Sequence, residues 1–358
     1  MKQTIMYETN QKAGCLLHAN GLPWNISEEM RQEIINAIAT LEFQRYPDTE
    51  CTQLIKTYCE VASLFEKQVL AGNGSDELLG LLIGAYLGKG KTLYTLSPDF
   101  SMYDYYAGMY EAKVLKFKTR EDGSYSVNDF VEFGRRNQVD MIMLSNPNNP
   151  TGFALSNAKL RIIAAAFPRI PVVIDEAYGE FYEESMRKEV ECYPNLYVTR
   201  TLSKAYGLAS MRIGFVISNS KNIEALKKYK APYTVNALSQ LVACVALRHA
   251  KEYQAYVEII KQEREKLYQG LRKLSFLQVF RSSANYIYGK SKQASKLIVY
   301  LQEHGVIIRS YEDDSFRITI GSAKQNKYLL ALCEAFEKEV GKCDMQQKSE
   351  RPKKPIFK

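Results

Sequence analysis

Short apolar runs separated by helix-like stretches constrain this chain more than any other feature. Runs rich in Val, Ile, Leu and Tyr fall at residues 68–71, 91–96, 113–117, 139–145, 171–175, 196–201 and 213–218. Between them lie amphipathic stretches such as 76–87 and 157–167. Such alternation predicts an α/β domain whose largely parallel sheet is covered on both faces. After Asn236 the pattern changes. Residues 237–274 read as almost continuous helix, without proline and with the single glycine Gly270. Runs at 285–288, 306–308 and 316–320 then alternate with helix, predicting a smaller α+β unit.

A chain of 358 residues is long enough for about two domains. No apolar run reaches the length of a membrane span. The opening MKQTIMYETNQKAG has no apolar core of the kind a secretion leader needs, so the cytoplasm is the expected location. The seven cysteines are scattered, with no CxxC pair, and the three histidines lie far apart. A disulfide framework, a metal centre and a Ser-His-Asp triad are therefore not expected. Net charge is +8, part of it in the closing KSERPKKPIFK. No nucleic-acid-binding module accompanies that charge, and a modest positive bias suits small anionic substrates.

Four polar clusters sit where strand candidates end or pass into helix, the position at which open α/β sheets bind ligands. In GNGSDE (72–77) glycines precede Ser and Asp at a helix start. That arrangement makes a phosphate cradle or simply a capped turn. In SNPNNPTG (145–152) two prolines stiffen a loop that carries three asparagine amides. In VVIDEAY, Asp175 ends an apolar run, where a buried carboxylate needs a partner, although it also reads as a cap for the next turn. In RTLSKAYGLASMRIG, Lys204 stands between a strand candidate and small, flexible residues. An amine for a Schiff base, an acid for a pyridine nitrogen, an amide and a phenol for a phenolate, and a phosphate cradle together describe pyridoxal 5′-phosphate.

The ordered motifs RYPD, GNGSDELL, SPDFSMY, SNPNNPTG, IDEAY, RTLSKAYGLASMRIGF, PYTVNALSQ and FRITIGS carry a resemblance to a known family. From about Leu16 to Glu339 the chain resembles fold-type I pyridoxal-phosphate aminotransferases. Within them it is most similar to the histidinol-phosphate aminotransferases, relatives of threonine-phosphate decarboxylases. The resemblance implies a mostly parallel central sheet in a large domain (41–236), and an N-terminal arm (1–40) contributing to a small domain. It also implies a long linking helix and small C-terminal domain (237–343), ahead of a basic tail (344–358).

It further implies roles for individual residues. Lys204 is the Schiff-base lysine and proton carrier, and Asp175 pairs with the ring nitrogen. Asn149 and Tyr178 bond the ring oxygen, and Phe100 stacks on the ring. Ser75, Asp76, Thr201, Ser203 and Arg212 hold the phosphate. Tyr46 reaches the neighbouring subunit's cofactor, which implies a homodimer. Arg317 grips the substrate α-carboxylate as a two-pronged fork, with Arg309 and Asn20 as further substrate contacts.

The implied reaction moves an amino group from a small-molecule donor, histidinol phosphate, to a 2-oxo acid such as 2-oxoglutarate. A phosphothreonine decarboxylase, an aromatic amino-acid aminotransferase and a non-catalytic regulator are the alternatives. The chain departs from the family at HANGLPWN, where Gly21 and Leu22 occupy the position of an expected acidic residue and its neighbour.

Overall fold

The structure is a computed structural model describing the backbone of residues 14–349, with side chains through Glu339. The first part of the expected N-terminal arm and the end of the expected basic tail lie outside the described residues. In chain order the strands are β1 (Cys15–Leu17), β2 (Val69–Asn73), β3 (Thr92–Ser97), β4 (Lys113–Lys118), β5 (Met141–Ser145), β6 (Val172–Asp175), β7 (Leu196–Thr201), β8 (Ile213–Ile217), β9 (Gln278–Val279), β10 (Tyr286–Lys290), β11 (Val306–Ser310) and β12 (Ser315–Thr319).

Strands β2 to β8 form one sheet in the order β2-β8-β7-β6-β5-β3-β4. Every adjacent pair is parallel except those made by β8, which runs against both of its neighbours. All seven early apolar runs become these strands, with ends shifted by no more than about two residues. The run read from Val139 starts at Met141 because Asp140 turns its carboxylate to Lys91 Nζ and the Thr92 N–H, at 2.7 and 2.9 Å.

Burial on both faces explains why these strands read as unbroken apolar runs. In β5, Met141 and Met143 join a core with Leu78, Leu82 and Tyr103, whereas Ile142 and Leu144 join the larger core on the opposite face. Strand β7 repeats the pattern, with Tyr197 on the first face and Leu196 and Val198 on the second. Alternate residues of a strand point to opposite faces, so both layers need apolar cover.

The remaining strands make a second sheet in the order β1-β11-β12-β10-β9. Strand β1 joins it from the far end of the chain, parallel to β11, with Leu17 opposite Ile308. Strands of three and two residues are too short for a hydrophobic period, so β1 and β9 escape sequence reading. The predicted continuous helix is two helices, Ala237–Arg248 and Ala250–Leu271, broken at His249. The His249 ring is drawn to Glu33 at 2.8 Å, on the helix Glu28–Ile38. Among the described residues no helix is long and apolar enough to cross a membrane.

Candidate active site

One edge of the large sheet collects the polar clusters. The carboxyl ends of β2, β3, β5, β6 and β7 lie there, followed by Ser75, Phe100, Asn149, Tyr178 and Lys204 respectively. Strand β8 runs the other way, so its amino end delivers Arg212 to the same edge. Register then sets a row across the sheet, in which Ser145 pairs with Asp175 and Asp175 with Thr199. A cavity of about 320 Å³ opens above this row.

Asp175 forms part of its floor and is only 2% exposed. Its oxygens accept from Thr199 Oγ1 at 2.7 Å and Tyr103 Oη at 2.9 Å. Burial nevertheless pushes its carboxyl up to about 6, because these hydroxyls and the Ala177 backbone N–H, all neutral donors, do not replace bulk water around a charge. Across the cavity Lys204 Nζ donates to the Ala19 carbonyl at 3.0 Å and stands 5.8 Å from the centre of the Tyr178 ring. Tyr178 Oη accepts from Asn20 Nδ2 at 2.8 Å, which leaves its own hydroxyl proton available toward the cavity. Its phenol is held above the ordinary range, chiefly by burial.

At one end the helix Gly74–Tyr86 points its first backbone N–H groups into the cavity beside Arg212. The Arg212 guanidinium bonds Asp76 Oδ2 at 2.9 Å and Ser203 Oγ at 3.4 Å, and the Ser203 N–H bonds Thr201 Oγ1 at 3.1 Å. Side chains on the glycines behind this hollow would displace its walls. A Cβ on Gly74, whose φ is +79°, would lie 2.5 Å from Arg212 Nη2, and one on Gly214 would lie 2.3 Å from the Ser75 nitrogen. A helix start with exposed N–H groups, a guanidinium and two hydroxyls is an oxyanion site.

The small sheet supplies the roof. Arg317 on β12 donates to Asn149 Oδ1 and, at 2.7 Å, to the His18 carbonyl. Asn149 therefore keeps its amide N–H₂ for another acceptor. Asn20 exchanges hydrogen bonds with Thr319, at 2.9 Å from its own N–H and 3.0 Å to its Oδ1, and its carbonyl accepts from Asn285. Leu22 sits beside Gly207, in the loop after Lys204, whereas nothing lies within 4 Å of a Cβ placed on Gly21.

The cavity thus brings together Asn20, Ser75, Asp76, Phe100, Asn149, Asp175, Tyr178, Thr201, Ser203, Lys204, Arg212 and Arg317. Arg309 stands apart, in a small adjoining pocket of about 50 Å³ that shares Phe100, Asn149 and Arg317 with it. Tyr46 lies outside both pockets, 82% exposed, with its ring 4.7 Å from that of Tyr233. Sequence reading passed over Tyr103 and Thr199, which hold Asp175. Thr199 carried a signal, being two residues from Thr201 and so on the same strand face. Tyr103 closes the SPDFSMY motif, but its 72-residue separation from Asp175 concealed the contact.

The family model for aminotransferase class I and II matches residues 13–336. The chain belongs to that family. It is 36% identical over 314 residues to the histidinol-phosphate aminotransferase of Clostridium novyi (strain NT), covering 87% of this chain and 88% of the relative. Among solved structures, the histidinol-phosphate aminotransferase from Sinorhizobium meliloti, in complex with pyridoxal-5′-phosphate, superposes with a TM-score of 0.85 at 20% identity, over 91% of each chain. The L-threonine-O-3-phosphate decarboxylase from Porphyromonas gingivalis gives 0.79 at 21% identity, over 90% of this chain and 99% of that one. At such identities the two structures speak for the fold alone and do not choose between the two reactions.

The protein is a pyridoxal-phosphate-dependent aminotransferase of fold type I. The residues present fit that cofactor. A buried carboxylate whose ionisation burial resists suits a cationic ring nitrogen, the hollow lined by Ser75, Asp76, Thr201, Ser203 and Arg212 suits a phosphate, and Lys204 lines the same cavity.

Proposed function

We propose that this aminotransferase takes its amino group from L-histidinol phosphate and passes it to 2-oxoglutarate. The observation that carries this reading is a second cationic site beside the cofactor cradle: Arg317 lines the same cavity as Arg212 and the helix start, with Arg309 in the adjoining pocket. The curated relatives' shared name agrees with it. Histidinol phosphate has a phosphate ester where an amino acid has its α-carboxylate, and the guanidinium fork of Arg317 suits either oxyanion. One residue therefore serves the donor in one half-reaction and the 2-oxo acid in the other.

When bound, pyridoxal phosphate supplies an aldehyde that joins amines and a ring that accepts the electron pair released at the donor Cα. Lys204 would be the point of attachment and its free amine the base for the Cα proton. Asp175 keeps the ring nitrogen protonated, and Thr199 and Tyr103 hold its carboxylate in place. The Asn149 amide and the Tyr178 hydroxyl would donate to the ring oxygen, Asn20 orienting the phenol. Phe100 would pack against the ring. The backbone at Ser75 and Asp76, with Thr201, Ser203 and Arg212, holds the phosphate. Asn20 and Arg317 tie the small sheet to the site, so they both contact substrate and exclude water from the proton transfer.

The protein works as a homodimer in this reading, with Tyr46 entering the neighbouring site. Its exposure, and that of Phe43 close by, supports that role. Six described cysteines, all unpaired, suit a reducing cytoplasm. The test of donor identity is the visible spectrum of cofactor-loaded protein on addition of histidinol phosphate without a keto acid. Loss of the yellow band is expected. A band that persists overturns this donor, and phosphothreonine turnover with CO₂ release replaces transamination by decarboxylation.

A further inference from the structure

Directly behind the cavity sits a carboxylate with no part in the roles above. Asp99 follows β3 by two residues. Its Oδ1 accepts from Ser145 Oγ and, at 2.8 Å, from the Phe100 N–H. Its Oδ2 accepts from Thr95 Oγ1 at 3.2 Å and the Ser145 N–H at 3.4 Å. An ionised carboxylate only accepts, so the single hydroxyl proton of Ser145 is committed to Asp99. The Ser145 lone pairs then face the other way, where they take the Asn149 N–H at 2.9 Å and Asn148 Nδ2 at 3.3 Å. Asn149 in turn accepts from Arg317. Hydrogen bonds thus link Asp99 through Ser145 to the Asn149 backbone, and the Asn149 side-chain Oδ1 to Arg317.

We infer that Asp99 is a positioning residue for both cofactor and substrate oxyanion, acting through Ser145 on Asn149 and Arg317 and touching neither ligand itself. The inference rests on the roles proposed above for Asn149 and Arg317. The loop from Asn146 to Thr151 has no strand or helix to hold it. Its shape depends on side chains: Asn146 bonds Leu155 through both its amide N–H and its oxygen, Thr151 Oγ1 bonds Asn148, and Tyr286 Oη bonds the Asn148 carbonyl. Asp99 is the charged member of that set, and charge-assisted bonds are the strong ones. Substitution by asparagine puts a donor where Ser145 needs an acceptor, or leaves an uncharged oxygen in its place.

Burial pushes the Asp99 carboxyl up to about 7, with the charge of Asp175 adding to the effect. Tyr103, Tyr125 and Tyr286 also face it, and Arg309, Tyr311 and Arg317 line the adjoining pocket with it. The acceptor that fixes Ser145 therefore gains its charge as pH rises through about 7.

The test reads cofactor affinity, by equilibrium dialysis with absorbance, for wild type, Asp99→Asn, Ser145→Ala and the double variant at both pH values. At pH 8 each single variant should bind pyridoxal phosphate about tenfold more weakly, the scale of one charge-assisted hydrogen bond. The double variant should be no weaker than the weaker single one, since both act on one chain of contacts. Wild type should approach Asp99→Asn at pH 6. Unchanged affinity in Asp99→Asn, or fully additive losses, overturns the proposal. If Asp99→Asn does not fold, Ser145→Ala decides: Asp175 ionises in both proteins over this range, so Ser145→Ala should keep that part of the gain between pH 6 and 8 and lose the remainder, and a gain equal to that of wild type counts against Asp99. Cofactor affinity needs no donor, so wild type that binds cofactor but ignores histidinol phosphate would refute the donor assignment alone.

Discussion

In the reaction proposed here, Lys204 concentrates the chemistry in one amine. Lys204→Ala should lower kcat by at least about 10³-fold, the range of positioned proton transfer, and should let dialysis remove the cofactor. A variant with normal turnover would refute the assignment. Asp175 illustrates the cost of a prepared site. Its folded-state carboxyl titrates near 6 against an ordinary 3.8, so between those values the folded chain holds a proton that the unfolded chain has lost. Its contribution to the stability of the cofactor-free chain therefore falls as pH rises from about 4 to 6 and stays low above that. Asp175→Asn should stabilise cofactor-free protein at pH 8 by about 1–3 kcal/mol, give little gain at pH 4, and weaken cofactor binding. Thermal melts with and without pyridoxal phosphate at the two pH values read all three. Arg317→Lys keeps the charge but not the fork, and should raise the KM for donor and acceptor about tenfold or more in steady-state assays.

Elements carry these residues only where their ends are shaped for it. The helix Gly74–Tyr86 begins two residues earlier than its apolar pattern suggests, because Gly74 tolerates φ of +79° and lets the Arg212 guanidinium lie against the backbone. Gly74→Ala should displace that guanidinium from Asp76 and weaken cofactor affinity about tenfold, the scale of one charged contact. Gly21→Ala, which meets open space, should leave affinity unchanged. Equal effects of the two substitutions would argue against the cradle. The break at His249 belongs to the same scale. Helical propensity and the absence of proline favour continuity there, but the His249–Glu33 contact and a new helix started by the Glu252 N–H on the His249 carbonyl, at 2.9 Å, end one helix and begin another. That contact links residues 216 apart, beyond the reach of any local pattern.

At the scale of the whole molecule, the site is made from both ends of the chain. Asn20 follows β1, Arg317 lies on β12, and a hydrogen bond joins Asn20 to Thr319 across 299 residues. Loss of the β1 pairing with β11 would therefore open the roof without touching the floor. In the homodimer proposed here, Tyr46→Ala and Lys204→Ala lie in different halves of each composite site. Mixing the two variants under exchange conditions should raise activity above the sum of the separate proteins, because a Tyr46→Ala chain then supplies Lys204 while its Lys204→Ala partner supplies Tyr46. Activity no greater than the sum of the separate proteins would place Tyr46 outside the site.

Sequence alone determined the covered parallel sheet, since burial on both faces leaves an unmistakable run of apolar residues, and it determined the cofactor chemistry, since each polar cluster follows its strand directly in the chain. Asp175, Tyr178 and Lys204 lie within three residues of a strand end and were legible for that reason, whereas the choice of Asn149 among three asparagines of its loop came from the family resemblance. Tertiary structure decided what local order cannot express. It set the reversed β8 that turns Arg212 to the site, the row that seats Asp175 between Thr199 and Ser145, the separation of Arg309 into its own pocket, and the Asp99 carboxylate behind Asn149. Each of these depends on sheet register or on contacts between residues far apart in the chain. Such contacts form only when the whole core is buried, so their energies are written in the packing and not in any one segment.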